Sequence, residues 1–290
     1  MFDFHMHSRV SFDGHDTGLT LAEAALAKGL KEICFTDHLD YDPLEQMGCM
    51  AFDTAAYNAE YDHLDLPGLT IRLGLEFGMT PDNMAQFKKD LQRRPFDFVL
   101  GSIHFVDDLD VYFEPWWRGK TVFQAEHRFL EATLECVQLH DDFDVLAHLT
   151  YISKTHCHPA PRPLPYAEHR EITDEILRIL ATKGKGLEMN SSGVDRCGGF
   201  LPTADFFRRF KELGGEIVTI GSDTHRADRV GQYSFEACEI LKDIFGYVCT
   251  FENRKPVFHK LYCMDGEFPV HFLWNSVDLG HQQHAHQESL

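Results

Sequence analysis

His5 and His7 carry the first sign of chemistry. In Phe2-Asp3-Phe4-His5-Met6-His7 the odd positions are polar and the even ones apolar. That is the alternation of a strand whose successive side chains point to opposite faces. The even face would pack on surrounding helices. The odd face would carry two imidazoles at i and i+2, close enough to share a metal ion. The pattern recurs. Thr36-Asp37-His38, Gly74-Leu75-Glu76, Gly101-Ser102-Ile103-His104, Leu146-Ala147-His148 and Ile220-Gly221-Ser222-Asp223-Thr224-His225 each end a short apolar run on imidazole or carboxylate. A lone histidine at such a place is ordinarily a hydrogen-bonded core residue. Six at matched positions, joined by Glu76 and Asp223, make a poor core and a good metal site.

The donor types narrow the metal. Imidazole and carboxylate without thiolate suit Zn, Mn or Fe, and none of the eight cysteines is spaced as C-x-x-C. There are more ligands than one ion needs, so at least two divalent ions are expected. A carboxylate such as Glu76 can bridge two ions roughly 3.5–4 Å apart, an arrangement suited to phosphoester hydrolysis.

Short runs rich in Ile, Val, Phe and Leu must position these groups: 2–7, 32–36, 70–76, 96–104, 143–148, 186–190 and 216–222. Amphipathic stretches lie between them. Thr20-Leu-Ala-Glu23 reads as a capping box opening a helix that Gly29 ends. Thr80-Pro81 reads as an N-cap and first helical residue, opening a helix over 82–93. Further helices are expected over 122–139, 166–182, 204–213 and 234–244. Seven strand–helix units predict an α/β fold, a closed or nearly closed seven-stranded (β/α)7 TIM-like barrel with the metal site at its C-terminal rim. The runs 247–251 and 256–261, joined by Asn253-Arg254, predict an added hairpin. Trp116-Trp117 and Phe113 form an aromatic patch in an insertion after the fourth strand, read either as a lid or as helix packing.

The motifs His5-Met-His7, Thr36-Asp-His38, Gly-Ser-Ile-His104 and Gly-Ser-Asp223-Thr-His225 resemble the polymerase-and-histidinol-phosphatase (PHP) superfamily, in order from residue 1 to about residue 262. The segments 31–38, 94–104 and 187–193, with the Pro256-Val-Phe hairpin, most resemble its histidinol-phosphate phosphatase branch. The resemblance implies a distorted seven-stranded barrel holding up to three metals. It implies a first site of His5, His7, Glu76 and Asp223. A second would share Glu76 and add His104 and His148. A third would use His38, His225 and Asp13, with His15 a competitor for that last place. For phosphate the family's arginine after the fifth strand is here Lys154, a point charge rather than a bidentate fork. Arg196, after Asn190-Ser-Ser-Gly193, and Arg162, in a proline-rich loop, are the other candidates. Glu76, Asp13 and His225 are the expected catalytic residues, with His225 or Asp13 helping to protonate the leaving alkoxide. His63, His127, His140 and His169 are expected on solvated helix faces. His156 and His158 lie in the prolyl loop, where contact with substrate and plain loop polarity are both open readings.

Composition bounds the partners. The chain has 290 residues, 27 basic and 46 acidic side chains and a formal charge of −19. This argues against nucleic acid and anionic membranes as partners. It does not exclude a small anionic substrate, since bound cations reverse the local field. There is no internal repeat, no secretory signal and no apolar run long enough to span a bilayer, so a cytoplasmic protein with reduced thiols is expected. Residues 1–270 are expected to form the barrel. Residues 271–290 are expected to form a polar tail, in which His281, His284 and His286 are exposed. The function expected is a metal-dependent phosphomonoesterase acting on L-histidinol phosphate in histidine biosynthesis. The alternatives are a PHP phosphoesterase for another small phosphorylated metabolite and, in a different class, a non-catalytic metal-binding regulatory barrel. A nuclease lacks its basic track. An amidohydrolase would commonly use a carbamylated lysine that no strand end offers. Oligomeric state is left open.

Overall fold

The computed structural model describes residues 1–42 and 53–261. Among these, seven strands pair in parallel: β1 (Phe2–Met6), β2 (Glu32–Phe35), β3 (Thr70–Gly78), β4 (Phe98–Ser102), β5 (Val145–Leu146), β6 (Gly186–Asn190) and β7 (Val218–Gly221). They follow one another around the sheet in chain order. A two-residue strand, His38–Leu39, adds to β3 and aligns His38 with Glu76. The ring closes irregularly. Asp223 donates its backbone N–H to the His5 carbonyl at 2.8 Å, and His7 donates to that of Thr224 at 2.8 Å. The fold is thus the seven-stranded barrel expected, nearly closed. The tail at 271–290 and its histidines lie outside the described residues.

The strict alternation read for β1 does not hold. Asp3 pairs with Ile33 and Met6 with Phe35, so β1 carries one residue more than β2 over this stretch, a β-bulge. The extra residue turns both Phe4 and His5 inward. Phe4 packs with Cys34, Phe98, Leu100, Val145, Ala147 and Phe251 inside the barrel. Asp3 leaves the barrel face and accepts hydrogen bonds from Ser222 and Gly231. His5 and His7 still share the interior, as the metal reading required. The larger core fills the layer between sheet and helices.

Helix ends moved for identifiable reasons. Thr17, not Thr20, caps the first helix (Gly18–Ala27), taking the Thr20 N–H at 3.1 Å. Thr80-Pro81 does not open a helix. It forms a turn in which Asn83 bonds both Thr80 N–H and the Gly78 carbonyl, and the helix runs Met84–Asp90. Val122–Leu139 starts on a capping box between Thr121 and Gln124, and Ser234–Ile244 falls where it was expected.

The hairpin of β8 (Tyr247–Glu252) and β9 (Lys255–Lys260) turns at Asn253 and Arg254, both left-handed (φ 50° and 63°). It closes the N-terminal end of the barrel. Phe251 packs on Phe98 with tilted rings whose centroids are 4.7 Å apart, while Arg254 reaches Asp144 at 2.5 Å. Trp116 is fully buried and the Trp117 indole donates to the Val111 carbonyl at 2.9 Å, so the tryptophan pair is core rather than lid.

Candidate metal centre

Every strand tip named from the sequence delivers its side chain to one place. Glu76 is the hub. Its Oε1 lies 2.7 Å from His148 Nε2 and 3.4 Å from His104 Nε2. Its Oε2 lies 3.2 Å from His5 Nε2, 3.3 Å from His7 Nε2 and 3.2 Å from His38 Nδ1. Asp223 Oδ1 stands 3.6 Å and 3.4 Å from the same two nitrogens of His5 and His7. Asp13 Oδ2 is 3.1 Å from His225 Nε2 and 3.7 Å from His38 Nε2. The His7 ring stacks between those of His38 and His225, with centroids 4.3 and 4.2 Å away. His15 is exposed, and its backbone bonds the His225 carbonyl at 3.2 Å. The carboxylate of Asp13 is therefore the group that faces His38 and His225.

The donor set fits divalent cations. Glu76 Oε2, Asp13 Oδ1 and His225 Nε2 are buried with no hydrogen-bond partner. Unsatisfied polar atoms at this density are costly in an interior, and a cation answers them together. Among the described residues, ligand atoms converge in overlapping triads: His5–His7–Asp223, His5–Glu76–His148, His7–His38–His225 and His38–Asp40–His104.

Charge tells the same story. Burial opposes ionisation of Glu76, but His5, His38 and His104 hold it well below the usual carboxylate range. Asp223 is likewise held down against burial by Lys154 and His5, and Asp13 against burial by His225 and His38. Burial, with His225 and His38 nearby, lowers His7 to about 3, leaving the neutral imidazole that ligates metal. Burial opposes the charging of His38 and His104 as well. Glu76 and Asp40 nonetheless raise His38 to about 9, and Asp40 and Glu76 raise His104 well above its ordinary value. Without metal, protons balance the carboxylates. A divalent ion would replace them.

The residues that hold these ligands were not read from the sequence. Glu188 accepts from His5 Nδ1 at 2.7 Å and from the His148 backbone N–H at 2.8 Å. Gly221 makes room for this pair, since a Cβ there would lie 2.2 Å from Glu188 Oε1. Asp40 accepts from His104 Nδ1 at 2.9 Å. Ser11 Oγ joins His7 Nδ1 to Asp37 at 3.2 and 2.8 Å, and Ser102 Oγ donates to Glu76 at 2.5 Å. A signal was present: Glu188 is an acid two positions before Asn190 on a buried strand, and Asp40 an acid two positions after His38.

A pocket of about 490 Å³ opens beside Asp223 and His225, lined also by Lys154, Ser192, Arg196 and Tyr112. Lys154 Nζ is 2.5 Å from Asp223 Oδ2 and 2.7 Å from Ser192 Oγ. Arg196 is exposed; its Nε donates to the Lys154 carbonyl at 3.1 Å and Nη2 to His156 Nδ1 at 3.2 Å. Arg162 is not among the lining residues. It pairs at 3.3 Å with Glu126, which His169 also contacts at 3.2 Å. That corrects the expectation for His169, which is buried rather than solvated. His140 is buried too, donating to the Thr80 carbonyl at 2.8 Å, because both rings answer interior acceptors. His63 is exposed and His127 half-buried. His158 is buried against Trp117 at 5.2 Å.

A parallel barrel whose C-terminal rim gathers imidazoles around one bridging-type carboxylate, beside a cationic pocket, defines a metal-dependent phosphatase. The PHP domain model matches residues 3–192. Histidinol-phosphatase of Lactococcus lactis subsp. lactis is 32% identical over 259 residues, 87% of this chain and 95% of that protein. A probable histidinol-phosphatase of Clostridium acetobutylicum is 29% identical, over 89% and 96%. The crystal structure of the Lactococcus lactis histidinol phosphate phosphatase, complexed with zinc, L-histidinol and phosphate, superposes with a TM-score of 0.75 at 30% identity, covering 88% of this chain and 98% of that one. The chain belongs to the PHP family, in its histidinol-phosphatase branch. No helix among the described residues is long and apolar enough to cross a membrane.

Proposed function

We propose that the chain hydrolyses the phosphomonoester L-histidinol phosphate to L-histidinol and phosphate, a step of histidine biosynthesis, using three divalent ions with zinc the first candidate. The observation that carries this reading is the pocket: it opens where Asp223 and His225 face outward and brings Lys154 and Arg196 to that edge. The zinc, L-histidinol and phosphate bound by the Lactococcus lactis relative support the choice of substrate and metal. The first site would be held by His5, His7, Glu76 and Asp223, the second by Glu76, His104 and His148, and the third by Asp13, His38 and His225. Bound there, the ions would supply Lewis acidity toward phosphoryl oxygens and lower the pKa of a coordinated water to about 7.

The chain's own groups divide the remaining work. Arg196 presents an exposed guanidinium suited to two phosphoryl oxygens. Lys154 stands between Asp223 and the pocket, where its charge faces an incoming anion. Asp13, kept ionised, suits ligation and is a poor proton donor at neutral pH. His225 has its Nδ1 engaged by the Asp223 carbonyl at 3.1 Å. Its Nε2 can therefore ligate or donate, not both. We assign it to ligation, which leaves solvent in the half-open pocket to protonate the alkoxide. Unpaired cysteines among the described residues and a net charge of −19 fit a cytoplasmic enzyme with a small phosphorylated substrate and neither nucleic acid nor membrane as partner.

The test is a turnover screen of the zinc-loaded protein. Histidinol phosphate should exceed p-nitrophenyl phosphate, sugar phosphates and nucleotides by about 100-fold or more in kcat/KM, a discrimination of about 3 kcal/mol. Equal turnover of all of them would refute the substrate assignment while leaving the phosphatase.

A further inference from the structure

We propose that Asp40 is a positioning residue that fixes the tautomers of two imidazoles assigned to different metals, His104 in the second site and His38 in the third. The inference rests on reading the rim as a metal centre. Asp40 is fully enclosed, and its two oxygens face the two rings. Oδ1 accepts from His104 Nδ1 at 2.9 Å, and Oδ2 lies 3.1 Å from His38 Nδ1. A carboxylate only accepts, so each facing Nδ1 carries the proton and each Nε2 keeps its lone pair. Those Nε2 atoms point where the metals are assigned: His104 Nε2 toward Glu76 at 3.4 Å, His38 Nε2 toward Asp13 at 3.7 Å. Carboxylate partners of ligating imidazoles set ring orientation and basicity and are ordinarily worth about 10–100-fold in metal affinity. Here one carboxylate serves two rings.

Two features of the fold hold it there. His38 opens the two-residue strand and Asp40 follows directly after its end, two positions on, where Oδ2 stands 3.1 Å from His38 Nδ1. Gly78, at the end of β3, leaves the space that the carboxylate fills: a Cβ on Gly78 would fall 1.8 Å from Asp40 Oδ1. Gly78→Ala therefore displaces Asp40 without changing any polar group.

The test uses the zinc-loaded full chain. Long-range ¹⁵N–¹H spectra of its imidazoles should show His38 and His104 protonated at Nδ1 and metal-bound at Nε2. Asn at position 40 offers one acceptor oxygen and one donor amide, so Asp40→Asn cannot support both rings. At a buffered free zinc level that just saturates the wild type, Asp40→Asn and Gly78→Ala should each lose the zinc held by His104 and His38. Affinity there should be about 10–100-fold weaker, while the ion at His5, His7 and Asp223 is kept. Both variants should still unfold cooperatively once stripped of metal, so that the zinc loss is read on folded protein. Wild-type spectra with His38 or His104 protonated at Nε2 overturn the proposal, even where a variant fails to fold. So does zinc affinity unchanged within twofold in either variant. A wild type that takes up no zinc overturns the metal reading as a whole, and this inference with it.

Discussion

At the C-terminal rim, imidazoles from β1, from just past the ends of β4 and β5 and from the loops crowd around Glu76. At the other end of the same barrel, Phe4, Phe98, Leu100, Val145 and Phe251 fill the space as dry core. The rim leaves buried polar atoms unanswered, which only a cation satisfies. The floor answers its polar groups within the chain: Arg254 bonds Asp144, Arg72 bonds Glu32 and Glu252, and Asp97 takes the turn N–H groups. Function therefore sits where the fold is least self-sufficient, and stability where it is most so. The cluster around Glu126 refines the contrast. It too is rich in histidine and acid, but it brings its own cation in Arg162.

The contrast can be broken by substitutions at either end. Glu76→Gln removes the carboxylate that faces five imidazoles. We expect phosphatase activity to fall by at least about 10³-fold with metal supplied, while far-UV circular dichroism is unchanged. Phe251→Ala should do the reverse. It opens a cavity in the floor and costs about 3–5 kcal/mol in urea unfolding, yet leaves kcat/KM of the folded, metal-loaded chain within about twofold. Loss of activity in proportion to stability would mean that rim and floor are not separable. Arg254→Ala strands the mostly buried Asp144 and should destabilise by about 2 kcal/mol, again without touching metal content by elemental analysis.

The smallest effect concerns pH. Burial opposes ionisation of Glu126, but His158, His169 and Arg162 hold it at about 2. A depressed carboxylate stabilises the fold above its unfolded value near 4.5, and that contribution disappears as pH falls toward 2. Glu126→Gln should flatten this part of the acid limb by about 1–2 kcal/mol, discounted for solvent at Arg162. The flattening should be the same with and without chelator. A chelator-dependent difference would make this cluster a metal site as well.

Much of this was legible in the chain. All seven barrel strands were marked by short apolar runs, and every metal-ligand candidate except the loop residues Asp13 and His15 lay at or just past the end of one. What escaped was set by tertiary contact. The bulge in β1 follows from pairing with β2, so the inward turn of Phe4 could not be read from alternation. The two-residue strand at His38–Leu39 is too short to leave a pattern. His140 and His169 occupy helical positions that look solvated until the Thr80 carbonyl and Glu126 are brought to them. Lys154 read as a phosphate anchor, but its first partner is Asp223, which only the closure of the barrel supplies.

That closure also orders events in time. The bonds from Asp223 to His5 and from His7 to Thr224 join residues more than 200 positions apart. A ribosome adding about 5–20 residues per second exposes His5 and His7 roughly 10–40 seconds before their partners on β7 exist. The first half of the site waits, unclosed, for most of translation. Metal capture by the complete centre is therefore a late event, and a cell short of the metal would accumulate finished barrels before it accumulated active ones.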